Sequence, residues 1–223
     1  MIASNKGKYI YVAVPRTGTH TISDFLERRC SGRQIICWHA AAHRVRATRF
    51  GLWRRAFVFG FVRNPWERML SAYAYQIRNA GRSAPPTVAY YQRHGKLPTF
   101  REYIMSGEFG MAEGGQWSYF CSKNDPLLLL VSYIGVFERF TDEMRRICRK
   151  ARIARPGQLQ HRNRSRGVNV KDYRLHYDDE MAEKVGRLDA EVIRAFGYSF
   201  DSTRPKVTWP AVAKAHRLVK AID

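Results

Sequence analysis

Three groups of residues have types and spacing that suit chemistry on an anion. The first is Pro15-Arg-Thr-Gly-Thr-His-Thr21, which follows the apolar segment Lys8 to Val14. A turn between a strand and a helix presents unpaired backbone N–H groups, and this one adds three threonine hydroxyls, a guanidinium and an imidazole. Such a point suits phosphate, although a turn whose threonines merely cap the helix is the plainer alternative. It is not a Walker A loop, because Arg16 precedes Gly18 and no lysine follows it in G-x-x-x-x-G-K-[ST] spacing. The second group is Arg63, at the end of the apolar run Ala56 to Val62, with Ser71 about two helical turns further along. Guanidinium and hydroxyl together can grip one anionic group. A capped helix with a surface arginine is the alternative. The third is Trp38-His39-Ala-Ala-Ala-His43. Histidine titrates near neutrality and suits a general base. The i, i+4 spacing of His39 and His43 is also that of paired metal ligands, but H-E-x-x-H needs glutamate where Ala40 stands, so no metal site is read here. His94, His176 and His216 have ordinary loop or surface contexts.

The elements that must position these residues are legible in outline. Lys8 to Val14 is β-branched and aromatic and stops at Pro15, which predicts a strand entering a polar turn. Ile22, Phe25 and Leu26 then recur at helical spacing, with Asp24, Glu27, Arg28 and Arg29 on the opposite face. The pattern repeats: Ala56 to Val62 reads as a buried strand, Asn64 as a helix cap, Pro65 as the first helical residue, and Met69, Leu70, Tyr73 and Ile77 as the apolar stripe. Leu127 to Phe137 supplies a further strand or two before a helix over Thr141 to Ala151. Alternating strands and helices predict an α/β fold with a parallel sheet, whose ligands bind at the carboxyl ends of the strands. Gly81 to Pro98, Ser106 to Gly115 and Arg155 to Lys171 read as loops or lids. Residues 1–200 form the domain, and the basic tail 201–223, with a helix expected over Ala211 to Ile222, packs on it.

Composition narrows the class. A chain of 223 residues with 45% hydrophobic and 26% charged residues fits one globular domain and excludes disordered and collagenous classes. The longest apolar runs fall far short of the roughly 20 residues that span a bilayer. Pro15 and Arg16 stand where a signal peptide would need small residues. Cys30, Cys37, Cys121 and Cys148 lack CxxC spacing, which predicts reduced thiols and a cytoplasmic location. The formal net charge of +20 points to anionic partners. A nucleic-acid-binding module would account for that charge and for the basic stretches His43 to Arg55 and Arg145 to Arg166, but not for paired anion motifs. A P-loop-like kinase acting on a small alcohol lacks the Walker A lysine.

Val14-Pro-Arg-Thr-Gly-Thr-His-Thr-Ile22 and Phe61-Val-Arg-Asn-Pro-Trp-Glu-Arg-Met-Leu-Ser-Ala-Tyr73 resemble the two cosubstrate motifs of sulfotransferases that use PAPS, 3′-phosphoadenosine 5′-phosphosulfate. The likeness continues through Ile134-Gly-Val-Phe-Glu-Arg-Phe140, His161-Arg-Asn-Arg-Ser165, Tyr177-Asp-Asp-Glu180 and Phe196-Gly-Tyr-Ser-Phe200, and is strongest to the carbohydrate branch. It implies a single P-loop-like domain with a central parallel sheet flanked by helices. It also implies that Arg16, Thr17, Gly18, Thr19, His20 and Thr21 hold the 5′-phosphosulfate and that Arg63 and Ser71 hold the 3′-phosphate. Arg162 or Arg164 would reach the cosubstrate from a flap. His39 then stands roughly where related enzymes place a catalytic histidine, with His43 or a carboxylate such as Glu113 as alternatives. The acceptor would be a saccharide or glycoconjugate, anionic in one version, with PAPS as cosubstrate and no metal; nucleic acid is not expected. Two departures stand out: Arg16 replaces the usual lysine with a planar, delocalised charge, and His20 replaces Ser or Thr. The motif arginine Arg16 and His39 are thus the leading catalytic candidates.

Overall fold

The structure is a computed structural model that describes the chain apart from residues 5, 7, 81–84, 110–114, 158–169, 203, 216 and 219–223, with side chains also left aside at 170–171, 210, 214–215 and 217–218. In chain order the elements are β1 (Ile2–Ser4), β2 (Tyr9–Val12), α1 (Thr19–Arg29), β3 (Gly32–Gln34), α2 (Ala42–Thr48), α3 (Phe50–Arg55), β4 (Phe57–Val62), α4 (Pro65–Arg78), α5 (Pro85–His94) and α6 (Phe100–Met105). They continue with β5 (Leu128–Leu129), β6 (Tyr133–Val136), α7 (Phe140–Lys150), α8 (Asp179–Leu188), α9 (Ala190–Phe196), α10 (Trp209–Ala215) and β7 (Arg217–Leu218).

The main sheet has the order β3-β1-β2-β4-β6. β2, β4 and β6 run parallel, with Val12 opposite Gly60 and Val62 opposite Val136. This is the expected α/β core. The sheet is nevertheless mixed, because β1 is antiparallel to both β2 and β3. Every residue of β2 and β6 is buried, as a parallel centre covered on both faces requires. Packing over β4 is close enough that a Cβ on Gly60 would lie 2.4 Å from Phe120 Cε1, so only glycine fits there.

Two expectations are corrected. The stretch Gly81 to Pro98 is not all loop, since α5 occupies Pro85–His94; Pro85 and Pro86 sit in its first turn, where the missing N–H costs no helical bond. The tail helix runs Trp209–Ala215 rather than to Ile222, and Arg217–Leu218 pairs in parallel with Leu128–Leu129. The Trp209 indole donates to Ser132 O (3.1 Å). No described helix is long and apolar enough to cross a membrane.

Candidate active site

Because β2 and β4 are adjacent and parallel, the segments leaving their carboxyl ends are brought together. Gly18 takes a left-handed backbone (φ 83°) at the entry to α1. A Cβ there would also sit 3.0 Å from ring carbons of Phe137 and Phe140. Ile22 N–H to Gly18 O (3.1 Å) is the first helical bond, so the N–H groups of Thr19, His20 and Thr21 precede the α1 ladder at the positive end of the helix dipole. The side chains behave differently from the sequence reading. Thr17 and Thr19 each donate their hydroxyl proton to Val14 O (2.9 Å), in the loop that follows β2. Those two hydroxyls stabilise the turn rather than converging on an anion. Thr21 is buried.

Arg16 also has a left-handed backbone (φ 67°). Its Nε and Nη2 both donate to Ser71 Oγ, at 3.2 and 3.0 Å, and its guanidinium lies 4.8 Å from the Tyr75 ring centroid. The two motifs, some fifty residues apart in the chain, therefore meet directly through Arg16 and Ser71. Arg63 donates from Nη1 to Arg16 O (3.2 Å) and from Nη2 to Glu67 Oε1 (2.5 Å), and lies 4.7 Å from the Phe137 ring centroid. Its Nε is buried with no hydrogen-bond partner among the described residues. Burial and the neighbouring Arg63 charge push the Arg16 guanidinium down to about 10. Arg16 has no carboxylate partner among the described residues.

Sequence reasoning missed the supports of this pair. Glu67 sits at i+4 from Arg63, a legible helical ion pair. Phe137 lies within the Ile134 to Phe140 motif. Gln116 carries no local signal, yet its side chain closes on the Arg63 backbone: Oε1 accepts from Arg63 N (2.8 Å) and Nε2 donates to Arg63 O (2.9 Å). Glu138 accepts from Asn64 N (2.6 Å) and from the Tyr198 hydroxyl (2.7 Å), and burial raises its carboxyl above the usual range.

His39 lies beside the first loop, in the stretch before α2, with Nδ1 2.8 Å from Ala13 O. A carbonyl only accepts, so the neutral ring carries its proton on Nδ1 and leaves the Nε2 lone pair available. Burial lowers its pKa, the hydrogen bond to Ala13 opposes this, and the Met1 ammonium, His20 and Arg16 lower it further. The residue keeps an exposed edge. His20 is exposed, with its ring 6.2 Å from that of Trp38; burial of its ring and the Arg16 charge lower its pKa, which disfavours the imidazolium form. His43 makes no contact with Arg16, Arg63 or His39 among the described residues. It sits in α2, outside any helical face shared with His39, and besides burial it is Lys123 and Arg44 that lower its pKa. Arg162, Arg164 and Glu113 lie outside the described residues, and no group of three or more potential metal ligands occurs among the described ones. Tyr177 to Glu180 opens α8, where Asp178 caps Met181 N (2.8 Å).

Comparison with curated proteins and with solved structures finds no match. A family model described as the sulfotransferase family matches residues 1–196, a span that holds both strand-end motifs, the His39 segment and all five strands of the main sheet. With cationic donors gathered where two parallel strands end and a match over most of its length, this chain belongs to the sulfotransferase family and is a transferase of sulfuryl groups.

Proposed function

We propose that the protein moves a sulfuryl group from PAPS to a hydroxyl of a carbohydrate or glycoconjugate acceptor, with His39 as general base. The observation that carries this reading is the arginine pair. Arg16 and Arg63 stand side by side at adjacent strand ends, and only Arg63 has a carboxylate against it. A half-buried guanidinium beside a second one, with its pKa depressed, is a site that an anion completes. The unpaired, buried Arg63 Nε and the N–H groups at the start of α1 fit the same ligand.

When bound, PAPS supplies the sulfuryl group, whose transfer leaves negative charge on the 5′-phosphate and frees a proton from the acceptor hydroxyl. In this reading Arg16 and the first N–H groups of α1 hold the 5′ side and meet that charge, while Arg63 and Ser71 hold the 3′-phosphate. Arg16 must then exchange its Ser71 contact, and Arg63 part of its Glu67 contact, for phosphate oxygens. His39 takes the acceptor proton at Nε2 while its Nδ1–H stays on Ala13 O, which fixes the ring's orientation and tautomer.

The test is calorimetric titration with adenosine 3′,5′-bisphosphate and with AMP. The parent protein is expected to prefer the bisphosphate. Arg63→Ala should weaken the bisphosphate by about tenfold or more, the scale of a lost charge-assisted hydrogen bond, with little change for AMP. Equal loss for both ligands, or none, would remove the proposed 3′-phosphate site.

A further inference from the structure

Three arginines lie over aromatic rings among the described residues, and two of them are the site pair: Arg16 over Tyr75 at 4.8 Å and Arg63 over Phe137 at 4.7 Å, against 5.5 Å for Arg46 over Trp53. The two site arginines differ in what else holds them. Arg63 has the Glu67 carboxylate on its Nη2. Arg16 has the Ser71 hydroxyl and the Tyr75 ring, and no carboxylate among the described residues. Burial, Arg63 and Arg78 all disfavour the Arg16 charge, and Tyr75 and Tyr103 are the side chains that offset them.

The helix sets the place of Tyr75. Ser71 and Tyr75 stand four residues apart in α4, so they share one face, Tyr75 one turn further on. They use different parts of the same guanidinium. Ser71 Oγ takes one edge, from Nε at 3.2 Å and Nη2 at 3.0 Å, while the central carbon Cζ lies over the half-buried Tyr75 ring. A carboxylate in the place of Tyr75 would also hold Arg16, but it would take up N–H donors and repel an arriving phosphate. An aromatic face attracts the cation through its quadrupole, carries no net charge and leaves the Nε and Nη2 edge to oxygen acceptors. Arginine suits this double use, because a lysine presents a single charged nitrogen for both contacts.

We infer that Tyr75 is a positioning residue for the cosubstrate: its ring holds the Arg16 guanidinium in place while a phosphate oxygen of the 5′ end replaces Ser71 Oγ on the Nε and Nη2 edge. The inference rests on the cosubstrate reading proposed above. Tyr75 acts through Arg16 alone, so its effect follows the 5′ end of the ligand and depends on a guanidinium at position 16.

The experiment is calorimetric titration of adenosine 3′,5′-bisphosphate and of AMP into the parent and into Tyr75→Phe, Tyr75→Leu and Tyr75→Met, with the same three changes repeated in an Arg16→Lys background. Phe keeps the ring without the hydroxyl, whereas Leu and Met keep apolar bulk without a ring. A packing role is therefore rescued by all three, and the contact with the cation by Phe alone. Tyr75→Leu and Tyr75→Met are expected to weaken both ligands by about three- to tenfold, with Tyr75→Phe within about twofold of the parent. In the Arg16→Lys background the three variants should fall within about twofold of one another, because the pair interaction is already gone. Equal affinities of the Phe and Leu variants, a loss confined to the bisphosphate, an undiminished loss in the Arg16→Lys background, or tighter binding without the ring would each overturn the inference. Failure of the parent to bind the bisphosphate overturns the cosubstrate reading and this inference with it; bisphosphate binding that Tyr75→Leu leaves unchanged overturns this inference alone.

Discussion

At the scale of single residues, the decisive feature is how backbone acceptors set side-chain roles. Val14 O takes the protons of Thr17 and Thr19, and Ala13 O, one residue earlier, takes that of His39 Nδ1. The two carbonyls that follow β2 therefore shape the anion loop and choose the tautomer of the proposed base at once. A base must be unprotonated, and burial lowers the His39 pKa from its ordinary 6.5. The neutral form thus predominates above that lowered value, and activity is lost as pH falls through it. The pH profile of kcat/KM, which reports the free enzyme, should show an acid limb centred below 6.5. His39→Ala should lose about a hundredfold or more in kcat and lose the limb, with bisphosphate affinity retained. An acid limb centred above 6.5, or an active alanine variant, would move the base assignment elsewhere.

At the scale of elements, α4 shows how a locally encoded helix start is also a long-range fastening. Asn64 Oδ1 accepts from Trp66 N and Glu67 N (both 3.1 Å), and Nδ2 donates to the Tyr173 hydroxyl and to Ser202 O (both 3.2 Å). Asn64→Ala should therefore cost about 2 kcal/mol, at the upper end for a cap, because the bonds to the Tyr173 hydroxyl and to Ser202 O are lost with it. Asn64→Asp keeps the acceptor but has no amide donor, and should cost about half as much; urea midpoints of the two variants check the order. Equal midpoints would mean that the donor side contributes nothing. The contrast marks what the sequence could show. Asn64-Pro65, the Arg63 strand end and the β2-loop-α1 unit rest on patterns within a few residues, and all were legible. β1 and β3 are each three residues long, too short for any period, so the antiparallel edge was not. The prolines of α5 read as breakers because the first turn of a helix tolerates what its interior does not. His43 is four residues from His39 in sequence, but it lies in α2, where the neighbouring charges are those of Lys123 and Arg44. Gln116 meets Arg63 across 53 residues, a distance over which no local pattern speaks.

At the scale of the whole molecule, the strand end that presents Arg63 is tied to the last helices through a buried polar chain. Gln116 clasps both backbone groups of Arg63; Asp189, at the junction of α8 and α9, accepts from Gln116 N at 2.6 Å through Oδ1 and from Arg68 Nη2 at 3.0 Å through Oδ2. The Arg68 and Asp189 side chains are 1% and 0% exposed, so neither charge has water to fall back on. Removing one partner of such a pair strands the other, and costs about 3–5 kcal/mol where whole domains hold about 5–15. Asp189→Ala should thus lower the urea midpoint severely, and through Gln116 it should also loosen the backbone at Arg63. Replacing both charges, as in Arg68→Met with Asp189→Leu, leaves no stranded ion and should recover part of the lost stability. Bisphosphate titration of that double variant then separates the two roles of the chain. If Asp189 serves only stability, affinity returns with the fold. Persistent loss of affinity in the refolded double variant locates the positioning of Arg63 in the Asp189 to Gln116 link, whereas an Asp189→Ala unfolding free energy within about 1 kcal/mol of the parent would show that this buried pair does not hold the molecule together.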